Sequence, residues 1–227
     1  GSGGDSSIWS RQLASLSSNH HIIAPDLPGH GQSQGSAVCE LEIYANWLMQ
    51  LTEALQVQPF VLAGHSLGGI IAQQFARMFP RSLRGLILVG TGMRFDIPDG
   101  YLDILDQDFE SACEISGKQA YAAQMPADLL KQGINMLRRN GPATLKQDLQ
   151  LCADFDSTQW AHNISIPCLI MCGMQDAIAP CPYSKQLAEN ISGSRLEYID
   201  SAGHMVMQEQ PDAFNRNVLL FIQNKCS

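Results

Sequence analysis

The pentapeptide Gly64-His65-Ser66-Leu67-Gly68 carries the clearest chemical signal in this chain. It lies inside FVLAGHSLGGIIAQQFARMF, where an apolar run enters it and an amphipathic run leaves it. A serine between two glycines at such a junction implies a sharp strand-to-helix turn. The turn lifts the hydroxyl above the sheet edge, beside the first free N–H groups of the helix. Side chains in place of Gly64 and Gly68 are expected to clash there. A serine hydroxyl is a weak nucleophile near neutral pH; it needs a base, and the base needs a third group to orient it. Both types follow downstream, Asp176 in GMQDAIAP and His204 in IDSAGHMVMQEQP. Each residue also has an ordinary reading: a serine in a Gly-rich turn, a turn aspartate ahead of Pro180, a histidine capping a helix.

Elements that would position these groups are legible on either side. HHIIAPD (20–26), FVLAG (60–64), GLILVG (85–90), PCLIMCG (167–173) and RLEYID (195–200) read as short strands, most of them continuously apolar. Such runs suit strands covered on both faces. Residues 40–56 place Leu41, Tyr44, Leu48, Leu51 and Leu55 at helical spacing, and residues 67–79 and 205–224 also read as helices. Strand alternating with helix predicts an α/β fold: a mostly parallel sheet with helices on both faces. Asp176 and His204 each follow a strand, so they and the Ser66 turn fall on one rim, at the carboxyl ends of the strands. Residues 92–163 break the rhythm with helical pieces and no convincing strand. They read as a helical insertion, or lid, in a core formed by residues 1–91 and 164–227.

Composition narrows the classes. The 227 residues carry a net charge of −8 with no basic run, which argues against nucleic-acid binding. No apolar stretch is long enough for a membrane span. Seven scattered cysteines, Cys39, Cys113, Cys152, Cys168, Cys172, Cys181 and Cys226, read as reduced thiols of a cytoplasmic protein rather than a disulfide framework. Cys168 and Cys172 lack two further ligands at zinc spacing, so no metal is expected. His30, in DLPGHGQS, reads as a rim residue that shapes a turn. Phe95, Tyr101, Leu102, Phe109, Met125, Leu129, Met136 and Leu137 are candidates for the pocket or the core of the insertion, whose apolar character points to a hydrophobic acyl group.

APDLPGHGQS, GHSLGG, GMQDAIAP and AGHMVMQEQP, in that order from about residue 20 to the end, resemble the capped, esterase-like branch of the α/β-hydrolase superfamily. The resemblance implies a serine hydrolase acting on an ester, thioester or lactone, with Ser66, Asp176 and His204 as the catalytic set and no cofactor. Ser66 in place of a carboxylate nucleophile separates it from the dehalogenases and epoxide hydrolases of the fold. Alternatives with the same triad are C–C bond hydrolysis, perhydrolase chemistry, or a relative that binds a small ligand without turnover. Gly1-Ser2-Gly3-Gly4-Asp5 reads either as a linker remnant or as the family's oxyanion loop lacking its leading histidine. On the second reading Ser2 and Leu67 supply the oxyanion amides. Strands that precede this loop in the family, about 20–30 residues at ordinary strand lengths, are then missing. His65, Met93, Phe95 and Met205 are the expected substrate contacts. A small-molecule substrate and a monomer or homodimer are expected.

Overall fold

A computed structural model of the chain describes residues 1–98 and 100–225; Cys226 lies outside them. The sheet has four strands in the order β1-β2-β3-β4, β1 Phe60–His65, β2 Leu83–Val89, β3 Cys168–Gly173 and β4 Arg195–Ile199, and every pairing is parallel. Side chains alternate across it, which explains the continuous apolar runs. Ile87, Val89, Leu169 and Met171 face α1 (Ser10–Leu16) and α9 (Pro211–Lys225) through Leu16, Phe214, Val218 and Phe221. Leu86, Leu88, Cys168 and Ile170 face the opposite layer through Ala72, Phe75 and Leu187. That layer holds α2 (Leu41–Ala54), α3 (Leu67–Met78) and α7 (Cys181–Asn190). The expected α/β architecture, with helices on both faces, is present.

Between β2 and β3 the chain is helical: α4 Tyr101–Gln107, α5 Phe109–Ala120 and α6 Ala127–Asp154. Tyr101, Leu105, Cys113, Ile134, Leu137 and Leu145 give these helices a small core of their own. Helix α6 is interrupted at Gly141 (φ 82°, ψ 168°), just before Pro142. Proline lacks the N–H that would continue the ladder and disfavours helical backbone in its predecessor, so the NGPA sequence produces a kink. The predicted helix at 205–224 is split for the same reason into α8 (Val206–Glu209) and α9, with Gln210 ahead of Pro211 outside both.

One predicted strand is absent. Along residues 20–26 more and less exposed side chains alternate, but the segment pairs with no ladder among the described residues. Ile22 packs against the α1/α9 face, and Ile23 stands exposed. The apolar pattern reports burial of one side of the segment, whereas a strand also needs a partner backbone.

Candidate active site

Because the sheet is parallel, the loops after β1, β3 and β4 share one rim. Ser66, between β1 and α3, has φ 54° and ψ −119°, a positive φ unusual for a residue with a Cβ. Surrounding bonds hold it there. Its N–H donates to the Val89 carbonyl (2.9 Å), and its own carbonyl accepts from Gly69 N (2.8 Å) and Thr91 Oγ1 (3.2 Å). Gly64 is sterically required, since a Cβ there would lie 2.0 Å from the Gly68 carbonyl oxygen. The same expectation for Gly68 is corrected: a Cβ at Gly68 meets nothing within 4 Å, whereas one at Gly69 would sit 2.6 Å from Thr91. The crowded second position is therefore one residue later, where α3 crosses the segment that leaves β2 at Thr91. Gly64→Ala is expected to cost about 3 kcal/mol, because backbone cannot yield to a new methyl. Gly68→Ala is expected to change stability by less than about 1 kcal/mol. Urea unfolding midpoints of the two variants check the contrast.

Asp176 lies in the loop between β3 and α7, and its side chain is buried. One carboxylate oxygen accepts from the amides of Ile178 (2.9 Å) and Ala179 (2.8 Å), which fixes its rotamer. The other lies 2.8 Å from His204 Nδ1. Beneath this pair the chain must be glycine at residue 90: φ is 50°, and a Cβ would stand 3.1 Å from His204 Nδ1. The His204 loop is anchored to the helical segment, because His204 N (2.9 Å) and Met205 N (3.2 Å) both donate to the Ala120 carbonyl. Glu209, a buried carboxylate on α8, accepts from the amides of Gly203 (3.0 Å), Met205 (3.1 Å) and Ala122 (2.9 Å). Burial pushes its pKa up, the three amides oppose this, and the charge of Asp176 adds to the rise.

His65 sits against His204 with ring centroids 4.5 Å apart. Its Nε2–H donates to the His204 carbonyl (3.0 Å), which assigns the tautomer and leaves Nδ1 buried without a hydrogen-bond partner among the described residues. Burial, and then the proximity of His204, hold His65 well below the usual imidazole range, so it stays neutral beside the site.

Ser66, His65 and His204 open onto one cavity of about 380 Å³. Ser2, Phe95, Tyr101, Met136, Leu137 and Met205 also line it, and the sequence pointed to each of them. Leu67 opens α3; its side chain is buried in the core, and its N–H is one of the first-turn amides that have no acceptor within the helix. Several other expected contacts lie elsewhere. Met93 packs toward the α2/α3/α7 face, Met125 and Leu129 toward the α1/α9 core, and Phe109 toward the core of the inserted helices. Leu102 does not line the cavity either. On α5 and α6 one apolar face meets the cavity and another meets the protein, and periodicity cannot say which is which. Missed cavity residues include Ile97, Ile104, Ile115, Tyr121 and Leu149.

A second buried pair lies behind the Gly1–Gly4 turn. His30 Nε2 is 2.8 Å from Asp148 Oδ2, on α6, and His30 Nδ1 is 3.1 Å from the Pro28 carbonyl. A carboxylate and a carbonyl only accept, so His30 donates from both nitrogens as an imidazolium. Burial pulls its pKa down, but the hydrogen bond and charge of Asp148, aided by Pro28, outweigh this and raise it. Between the unfolded and folded pKa values the folded chain holds the extra proton, so stability falls as pH rises. The contribution is complete below about pH 6.5, the ordinary histidine value, and is lost as pH climbs through the raised pKa. Urea melts from pH 6 to 9 are expected to show this alkaline loss in the native chain and a flatter profile in His30→Gln. Asp148 is the facing acid, and Asp26 is the other carboxylate whose pKa responds to His30.

Among the described residues no group of three or more His, Cys, Asp or Glu side chains is placed to hold a metal, and no helix is long and apolar enough to cross a membrane. The described cysteines are free thiols.

A family model described as the alpha/beta hydrolase fold matches residues 1–211. RutD of Azorhizobium caulinodans, whose name carries a provisional assignment as a carbamate hydrolase, is 27% identical over 237 residues, spanning 97% of this chain and 88% of that protein. The pimeloyl-[acyl-carrier protein] methyl ester esterase of Pectobacterium carotovorum is 26% identical over 238 residues, spanning 98% of this chain and 92% of its own. A solved thermophilic esterase superimposes with a TM-score of 0.86 at 30% identity, covering 98% of this chain and 86% of that one.

Proposed function

The chain belongs to the α/β-hydrolase fold family and is a hydrolase, and from that premise we propose that it cleaves a carboxylic ester, thioester or lactone of a small hydrophobic acyl group through a serine acyl-enzyme. The observation that carries this reading is the buried 2.8 Å contact between His204 Nδ1 and Asp176, on the same cavity that Ser66 lines. Asp176 keeps the proton on Nδ1, so Nε2 is the basic nitrogen. His204 then takes the Ser66 proton as the hydroxyl attacks the substrate carbonyl. The amides of Leu67 and Ser2 hold the developing oxyanion. His204 returns the proton to the leaving group, and water, activated by the same nitrogen, releases the acid.

The helical segment 92–163 acts as the cap over a core of residues 1–91 and 164–227. Met136, Leu137, Leu145 and Leu149 in the cavity wall favour an apolar acyl chain, and a volume of about 380 Å³ suits a small ligand. The names of the esterase relatives support an ester; the provisional carbamate assignment of RutD keeps a carbamate carbonyl as the second substrate class for the same catalytic set. Initial rates on p-nitrophenyl acetate, butyrate and octanoate, beside phenyl carbamate, test the proposal. Turnover is expected on the esters with a preference among chain lengths. Turnover of the carbamate alone would move the assignment to that class, and none on either would overturn it.

A further inference from the structure

We propose that Asp148 and Asn140, on the two arms of the kinked helix α6, are positioning residues that hold the Gly1–Gly4 turn in the geometry its oxyanion amide needs. This rests on the serine-hydrolase reading. Gly3 is gripped at both backbone polar groups: its N–H donates to Asp148 Oδ2 (2.7 Å), and its carbonyl accepts from Asn140 Nδ2 (2.9 Å). Asn140 precedes the break at Gly141 and Asp148 follows it, so the kink lets one helix reach the turn from two directions. Ser2, whose amide is the proposed donor, is the residue immediately before Gly3.

The grip extends to the core. Asn140 Oδ1 accepts from Gly31 N (2.7 Å), Thr144 Oγ1 donates to the Gly29 carbonyl (3.3 Å), and Asp148 Oδ2 also receives His30 Nε2. Gly3 has φ 60°, and a Cβ there would meet Leu137 at 2.9 Å and Leu145 at 3.1 Å, so the turn is seated against α6 with no spare room. Neither side chain touches the reacting atoms. They act through the turn, and their effect falls on the transition state, where the oxyanion exists, rather than on substrate binding.

The experiment is steady-state hydrolysis of p-nitrophenyl butyrate, with kcat expressed per folded molecule from near-ultraviolet circular dichroism. Asp148→Ala is expected to lower kcat by about 100-fold, the scale of losing an oxyanion donor, with KM within about threefold of wild type. Asp148→Asn places its carbonyl where Oδ2 stands, keeps the Gly3 N–H contact on which the grip depends, and is expected to restore kcat to within about fivefold. A folded Asp148→Ala with unchanged kcat, or a loss confined to KM, overturns the proposal. So does an Asp148→Asn as impaired as the alanine variant, since charge rather than the grip would then matter. Should Asp148→Ala not fold, Asn140→Ala decides: a drop of about tenfold in kcat supports the grip, and an unchanged kcat overturns it. Wild-type protein that neither turns over nor reacts with a fluorophosphonate overturns the serine-hydrolase reading itself, which separates the two failures.

Discussion

Ser66→Ala is expected to lower kcat on an activated ester by on the order of 10⁶-fold, the loss seen when a triad nucleophile is removed, and to leave the fold intact. The backbone bonds that hold residue 66 at positive φ run through its N–H and carbonyl, not its side chain. Alanine has the same Cβ and meets the same backbone demand. Substrate binding should survive as well, since the apolar walls of the cavity are untouched. A variant that binds the ester, shown by competitive inhibition, and turns over none of it is the expected result. Retained turnover would remove Ser66 from the mechanism.

Asp176→Asn is expected to cost about 10⁴ in kcat, by the tautomer logic of such sites, again with little change in fold. Ile178 N and Ala179 N both donate to one carboxylate oxygen, so an asparagine is oriented with its carbonyl toward those amides. Its NH₂ then points at His204 Nδ1, where the carboxylate had accepted. The imidazole must present a lone pair at Nδ1 and carry its proton on Nε2, the nitrogen that is to act as base. Orientation of the ring is preserved while its basicity is directed the wrong way. Rates at raised pH check this, because hydroxide can supply part of the missing base function, so the deficit should narrow as pH increases. A deficit of tenfold or less across that range would mean that Asp176 does not control the tautomer.

The placement of Ser66, Asp176 and His204 on one rim was legible because each follows a run that reads as a strand, continuously apolar before Ser66 and Asp176 and alternating before His204. Parallel topology then leaves one rim on which the loops can meet. Glu209 and Asp148 were not legible. Each is an isolated acid in an amphipathic stretch, which alone reads as a solvated helix face. Their burial is decided by contacts with Ala122, Gly3 and His30, far away in sequence. His30 was read as a residue that shapes the rim, and the double hydrogen bond to Pro28 and Asp148 gives that reading its physical content. Residues 20–26 misled for a related reason: alternation of exposure reports burial of one side, while a strand is set by a neighbour. The G-x-S-x-G spacing was informative about Gly64 and silent about Gly69, whose small size serves the crossing with Thr91.

The nucleophilic activation of Ser66 is tested most directly by intact-mass and peptide-mapping analysis after reaction with a fluorophosphonate, with Ser66→Ala and Asp176→Asn run alongside. The account predicts one adduct per chain, located on Ser66. It should be absent in the alanine variant and formed far more slowly in the asparagine variant. An adduct elsewhere, or an unmodified Ser66 in a folded wild-type chain, would contradict it.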